Sequence, residues 1–203
     1  PIVRARVAAV DELLKSEFDL PLGIADSMCW QEFADLHEIA IPTGLGPSDR
    51  VVRMLDPATG TGTFLLEWLR RAKQNLSGAT RPDDERLRSV VESVEAFEIS
   101  LSAYAVAHLK TRMELDPALR SDVELGIRLS NTLVSDVAPS GGLLEEDPIA
   151  RESTLADRTK KDTGHLVVLG NPPYKDRSKG LGPSVEKPRP GRSEPLLAAF
   201  TPP

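Results

Sequence analysis

Three short segments carry residue types and spacings that could do chemistry. The first is Asp56-Pro57-Ala58-Thr59-Gly60-Thr61-Gly62-Thr63-Phe64. An acid, a glycine-rich turn and a helix start follow directly on an apolar run at 51–55, a geometry that suits a nucleotide-like ligand at the carboxyl end of a first strand. The glycines allow close backbone approach, and the helix start offers unpaired N–H groups to an anionic group. Three ligands compete with a plain glycine-rich turn. A phosphate loop would need a Gly-Lys-Ser/Thr ending, and Gly62-Thr63-Phe64 has no lysine. A dinucleotide fingerprint would want a small residue where Leu65 stands. S-adenosylmethionine, with its carboxylate and ammonium, is the third.

The second segment ends at Glu98, the last residue of a strand-like stretch at 94–98. An acid at that place in a doubly wound sheet bonds the ribose hydroxyls of a cofactor. Its distance from the glycines exceeds the ~20 residues of the dinucleotide rule, so an insertion at 77–93 is expected. The bland alternative is a surface glutamate.

The third segment is Asn171-Pro172-Pro173-Tyr174, which follows the apolar run at 165–170. It suits methylation of a planar amino group, whose lone pair is delocalised and weakly nucleophilic. The Asn171 side-chain oxygen and the Pro172 carbonyl could accept the two N–H protons and stabilise the charge that develops. Pro172 and Pro173 pre-aim those acceptors. Tyr174 can stack on the target. A proline-rich loop would explain the prolines, but not this order at a strand end.

These segments need elements to hold them. Apolar spacing predicts helices at 2–18, 64–76 and 101–115, and strands at 51–55, 94–98, 124–130 and 165–170. Residues 24–50 read as mixed, 77–93 as polar followed by a helix with Asp83-Asp84-Glu85 at its solvated start, and 138–163 as loop or short helix. The rhythm argues for a parallel α/β sheet. Of 203 residues, 40% are hydrophobic and 4% aromatic, so a core must come from Leu, Val, Ile and Ala. No apolar run reaches the ~18 residues of a membrane span, no signal peptide is visible, and a cytoplasmic location is expected. The lone cysteine, Cys29, permits no internal disulfide and no multi-cysteine zinc site. Cys29-Trp30 reads as core, and His37, His108 and His165 lack metal-ligand spacing. A net charge of −6 argues against electrostatic wrapping of nucleic acid as the main task.

Taken together, DPATGTGTF, FEI at 97–99, YAVAHLK at 104–110, NTL at 131–133 and GNPPY at 170–174 resemble the successive motifs of N6-adenine DNA methyltransferases. The resemblance is to the methylase region of type ISP and type IIG restriction–modification enzymes, over residues 2–180. It implies the Rossmann-like fold of S-adenosylmethionine-dependent methyltransferases, with double-stranded DNA as partner. By resemblance, Asp56, Thr59, Gly60 and Gly62 contact the methionine half of S-adenosylmethionine, within a cofactor segment that includes Pro57, Ala58, Thr63 and Phe64. Glu98 takes the ribose. Asn131 falls near the cofactor adenine, where the family often has Asp. Asn171, Pro172, Pro173 and Tyr174 fall on the catalytic motif.

The chain also departs from that family. Seven strands are expected and four can be placed, in the order 3-2-1-4, which leaves the fourth as an apolar edge. A Thr-Pro motif before the first helix and a target-recognition region are not found. The organisation expected is a catalytic domain over 1–174, helical over 1–50 with the cofactor core over 51–174, and a disordered tail or truncated remainder over 175–203. Such a chain reads as a partial reading frame or one piece of a split enzyme, needing a missing region or partner chain. It would be marginally stable, prone to self-association and inactive on DNA alone. Two other functions compete: methylation of a glutamine amide in protein, which also uses Asn-Pro-Pro-Tyr but usually without the Asp-Pro pair, and a non-catalytic remnant that only binds cofactor.

Overall fold

The computed structural model describes residues 2–77, 84–120, 122–132, 148–162 and 164–172. The expectations for Pro173, Tyr174, Asp83 and the 175–203 tail lie outside those residues. The first apolar repeat forms α1 (Ile2–Glu17), then a 3-10 turn (Gly23–Ala25), α2 (Trp30–His37), β1 (Met54–Asp56) and α3 (Thr63–Leu76). The chain continues through α4 (Asp84–Glu92), β2 (Val94–Glu98), α5 (Leu101–Glu114), α6 (Pro117–Arg120), β3 (Gly126–Leu129), α7 (Pro148–Lys161) and β4 (Val167–Val168).

The four strands form one parallel sheet in the order β3-β2-β1-β4, as anticipated. Met54 pairs with Val94 and Val167, and Glu95 with Gly126. Strand alternation sorts the two faces. Val94 and Ala96 are buried, on the side of α3 and α5. Glu95 and Phe97 face α7, where Thr159 Oγ1 donates to Glu95 at 2.8 Å and Lys160 Nζ lies 5.7 Å from the Phe97 ring centroid. The apolar stripe of α3 points inward through Phe64, Leu65, Trp68, Leu69 and Ala72, with Trp68 fully buried. Among the described residues β4 pairs only with β1, and Val168 is 63% exposed, which is the edge position expected of it.

Several boundaries differ from the sequence expectation. Val51 and Val52 are buried but precede the strand. Their segment is bonded elsewhere: Val51 N–H donates to the Met28 carbonyl, and Arg50 bridges Cys29 antiparallel. β3 begins at Gly126 because a Cβ there would lie 2.3 Å from the Val94 carbonyl, so only glycine allows pairing at that step. β4 is shortened because His165 turns toward Glu95 rather than continuing the ladder. Helices α2 and α7 occupy segments that showed no clear period. Trp30 is buried, but Cys29 is half-buried at the start of α2, where its N–H donates to Glu32 at 2.9 Å.

One buried acid ties the first helix to the rest. Asp11 is fully buried and accepts from Ile24 N–H at 3.0 Å, Asn75 at 2.7 Å, Lys15 at 2.8 Å and Arg71 at 2.7 Å. Burial alone would raise its pKa; these donors outweigh that and hold it below the usual carboxylate range. Asp11 therefore contributes stability above the unfolded Asp pKa of about 3.9, and that contribution fades as pH falls toward its lower folded value. Asp11→Ala should cost about 3 kcal/mol at pH 7, the low end for a broken buried pair because Lys15 and Arg71 can rehydrate. Urea unfolding at pH 7 and pH 3 checks this: the difference between variant and wild type should be large at pH 7 and smaller at pH 3.

Candidate functional site at the carboxyl edge

β1 ends on Asp56, and the turn to α3 runs through two left-handed glycines, Gly60 at φ +57° and Gly62 at φ +80°. L side chains rarely adopt that conformation, which explains glycine at both positions. The space around them differs. A Cβ on Gly62 would stand 3.3 Å from Ala107 of α5, so this glycine lets the helix press against the turn. A Cβ on Gly60 would meet nothing within 4 Å and would project into open space. Gly62 caps α3 without a side chain, so no side chain claims the first-turn amides.

The turn is stitched to β2. Thr59 N–H donates to the Phe97 carbonyl at 2.9 Å, and Gly60 N–H to Glu98 Oε2 at 2.8 Å. The other Glu98 oxygen accepts Ser100 N–H at 2.7 Å. A carboxylate offers about four acceptor positions, so Glu98 keeps capacity for further donors such as hydroxyls. The insertion at 77–93 is thus bridged without moving Glu98 away from the glycines.

Asp56 is the central group. It is fully buried; Oδ1 accepts Ala58 N–H at 3.1 Å, and Oδ2 has no hydrogen-bond partner among the described residues. Burial pushes its pKa up to about 7, against the Ala58 N–H and with the help of the Glu98 charge. The exit of β4 lies directly on this acid: a Cβ on Gly170 would be 2.6 Å from Asp56 Oδ1 and 3.0 Å from Pro57 Cδ. Asn171 and Pro172 follow at once and are exposed. Asn131 is half-buried just beyond Ser130, whose N–H donates to the Glu98 carbonyl at 2.9 Å.

The fold therefore brings Asp56, Pro57, Ala58, Thr59, Gly60, Gly62, Glu98, Asn131, Asn171 and Pro172 to one edge of the sheet. Of the remaining members of the cofactor segment, Thr63 is exposed at the start of α3, and Phe64 is buried in the core behind the turn. Gly170 was readable as part of the GNPPY segment, but its need for space was not. At the opposite edge, Glu95, Asp162 and His165 lie within metal-ligating reach of one another. Arg53 bonds both acids, at 2.5 Å to Asp162 and 3.5 Å to Glu95.

Comparisons with known proteins locate the fold. No protein-family model and no curated protein matches the chain. Among solved structures, a nuclease-deletion mutant of the type ISP restriction–modification enzyme LlaGI, in complex with a DNA substrate mimic, aligns at TM-score 0.59 and 22% identity, covering 85% of this chain and 12% of that one. The ATP-dependent type ISP restriction–modification enzyme LlaBIII bound to DNA aligns at TM-score 0.59 and 23% identity, covering 97% and 11%. A DrdV–DNA complex aligns at TM-score 0.53 and 24% identity, covering 86% and 13%. The chain shares a fold with part of these enzymes and spans 11% to 13% of their length.

The raised pKa of Asp56 has a definite sign. Between the unfolded value of about 3.9 and about 7, the folded protein holds a proton that the unfolded chain does not. Stability from this group is whole below the unfolded value and declines as pH rises through 7. Asp56→Asn should remove that decline, so wild type and variant should differ more at pH 8 than at pH 5, with the variant the more stable at pH 8. Denaturant midpoints across that range provide the check.

Proposed function

We propose that the chain is the cofactor-binding and catalytic core of an S-adenosylmethionine-dependent DNA methyltransferase acting on N6 of adenine, within a restriction–modification system. What carries the reading is the buried Asp56, one oxygen unpartnered, beside the open space at Gly60. A buried carboxylate without a cationic or hydrogen-bonding partner is costly, and an ammonium group would relieve it. The donor set fits S-adenosylmethionine: Asp56 for the ammonium, the amides at the start of α3 for the carboxylate, Glu98 for the ribose hydroxyls and Asn131 for the adenine. Pro57, Ala58, Thr59 and Gly62 would shape the backbone beneath it.

The bound cofactor would supply an electrophilic methyl group. The chain's own part is to prepare the acceptor. The Asn171 side-chain oxygen and the Pro172 carbonyl would accept the two N–H bonds of an adenine amino group turned out of its duplex. Holding both protons localises the nitrogen lone pair and stabilises the charge that develops on it. The proline pair limits the loop's freedom, so the acceptors are aimed before the target arrives. Pro173 and Tyr174 complete the motif in sequence, with Tyr174 as stacking surface. The DNA complexes of the fold relatives support DNA as the substrate. With the chain's net charge at −6, DNA contact would rest on local surface rather than on overall attraction.

Calorimetric titration tests the cofactor half. Wild type should bind S-adenosylmethionine, and Gly60→Val, which fills the open space and strains the turn, should abolish binding; unchanged affinity in the variant would overturn the assignment. Transfer of labelled methyl groups to unmethylated DNA and to protein tests the acceptor half. Label on adenine N6 supports the proposal, and label on glutamine side chains refutes the DNA reading. In a complete version of the enzyme, Asn171→Ala should slow transfer by about 10²–10³-fold, the usual effect of losing one aimed polar group, while cofactor affinity stays as in wild type. An undiminished rate would remove Asn171 from the mechanism.

A further inference from the structure

The loop after β3 makes a contact that strand order alone does not provide. β3 and β1 are not neighbours; β2 lies between them. With strands about 4.8 Å apart, a residue leaving β3 must cross the end of β2 to touch the end of β1. Thr132 does so: its Oγ1 donates to the Pro57 carbonyl at 2.5 Å. The loop is also held where it starts, by the Ser130 N–H on the Glu98 carbonyl at 2.9 Å and by Lys160 Nζ on Ser130 Oγ at 2.7 Å. Asn131 is the single residue between these two anchors, and it is half-buried. The segment 130–132 therefore bridges the carboxyl end of β2 beside Glu98, fastened at both ends.

We propose that Thr132 is a positioning residue: its hydrogen bond to Pro57 sets Asn131 over the end of β2 and so determines how selectively the site takes an adenine-bearing cofactor. This rests on the S-adenosylmethionine reading above. A cofactor whose ammonium lies at Asp56 on β1 and whose ribose lies at Glu98 on β2 extends its base toward β3. There it meets Asn131, whose amide offers both a donor and an acceptor. That pairing suits the adenine edge, which presents an amino donor next to a ring-nitrogen acceptor. Held in that one orientation, it does not suit hypoxanthine, whose edge carries the opposite pattern; turned over, the same amide would. Recognition of this kind needs the amide held in place, because a free loop spends part of each binding event on ordering. The Thr132 clasp meets that need, and because it lands on the cofactor turn itself, the amide is placed relative to the ligand rather than to the sheet.

The test uses the full chain and two ligands, S-adenosyl-L-homocysteine and its 6-oxo analogue S-inosyl-L-homocysteine, titrated into wild type, Thr132→Val and Thr132→Ser. Valine keeps the shape and removes the hydroxyl; serine keeps the hydroxyl. Wild type should prefer the adenine ligand by at least about tenfold, near the value of one well-placed hydrogen bond. Thr132→Val should bind the adenine ligand about tenfold more weakly, with the preference collapsing to near parity and the thermal midpoint close to wild type. Thr132→Ser should restore most of the preference. A valine variant that keeps wild-type preference overturns the proposal while leaving the cofactor reading intact. So does one that loses affinity for both ligands equally. Wild type that binds neither ligand overturns the cofactor reading and the proposal with it.

Discussion

The structure turns on the crowding at Asp56-Pro57. A parallel sheet sends the carboxyl ends of all its strands to one edge, and here the turn that follows β1 and two segments from far along the chain converge on the last residue of β1 and the proline after it. The glycine turn leaves from Asp56 and is tied to Glu98. The β4 exit passes so close that only glycine fits at position 170. The β3 loop reaches across to the Pro57 carbonyl. Among the described residues, the acid at the centre is paired on one oxygen and unpaired on the other. Burial favours its protonated form up to a pH of about 7, so the charged form is the costly one. That is a cost to folding and a reason for a cationic ligand to bind.

The opposite edge is built on the contrary principle. Arg53 just before β1, Glu95 on β2, Asp162 after α7 and His165 just before β4 form a connected polar network. Glu95 is buried enough that desolvation would raise its pKa, yet bonds from His165 and Thr159 and the charge of Arg53 bring it below the ordinary value. Networks of buried charge add little net stability but restrict how elements can be arranged. This one joins β1, β2, β4 and α7, and so sets the register from which β4 travels to the other edge. The amino edge is satisfied and fixed, while the carboxyl edge is crowded and left with an unmet group. Asp11 does for α1 what this network does for the sheet, joining it to α3 and to the 3-10 turn through four donors.

Much of this was legible in the residues themselves. The sequence located α1, α3, α5 and β2 within a residue or two: α3 by a regular apolar stripe with one buried face, and α5 by its run of helix formers up to Pro117, since its buried side is only Ala107 and Thr111. The strand order was expected from the family resemblance rather than from the residues. The site motifs declared themselves because glycine, proline and acid at a strand end have few structural uses. The segments holding α2 and α7 hid their helices. α2 spans eight residues and α7 is strongly polar, so neither carries a clear apolar period. The boundary of β1 was misplaced because burial at Val51 and Val52 comes from the 28–29 segment rather than from a neighbouring strand.

What only the tertiary structure decided is the set of contacts between motifs. The sequence by itself determined which residues stand at the strand ends, since type and local spacing are local properties. It carried no sign that Gly170 must be bare to clear Asp56, that Thr132 spans the end of β2 to reach Pro57, or that one Asp56 oxygen has no partner among the described residues. Each depends on the distance between residues far apart in the chain, and that distance exists only once the strands are in register and the helices have closed over them.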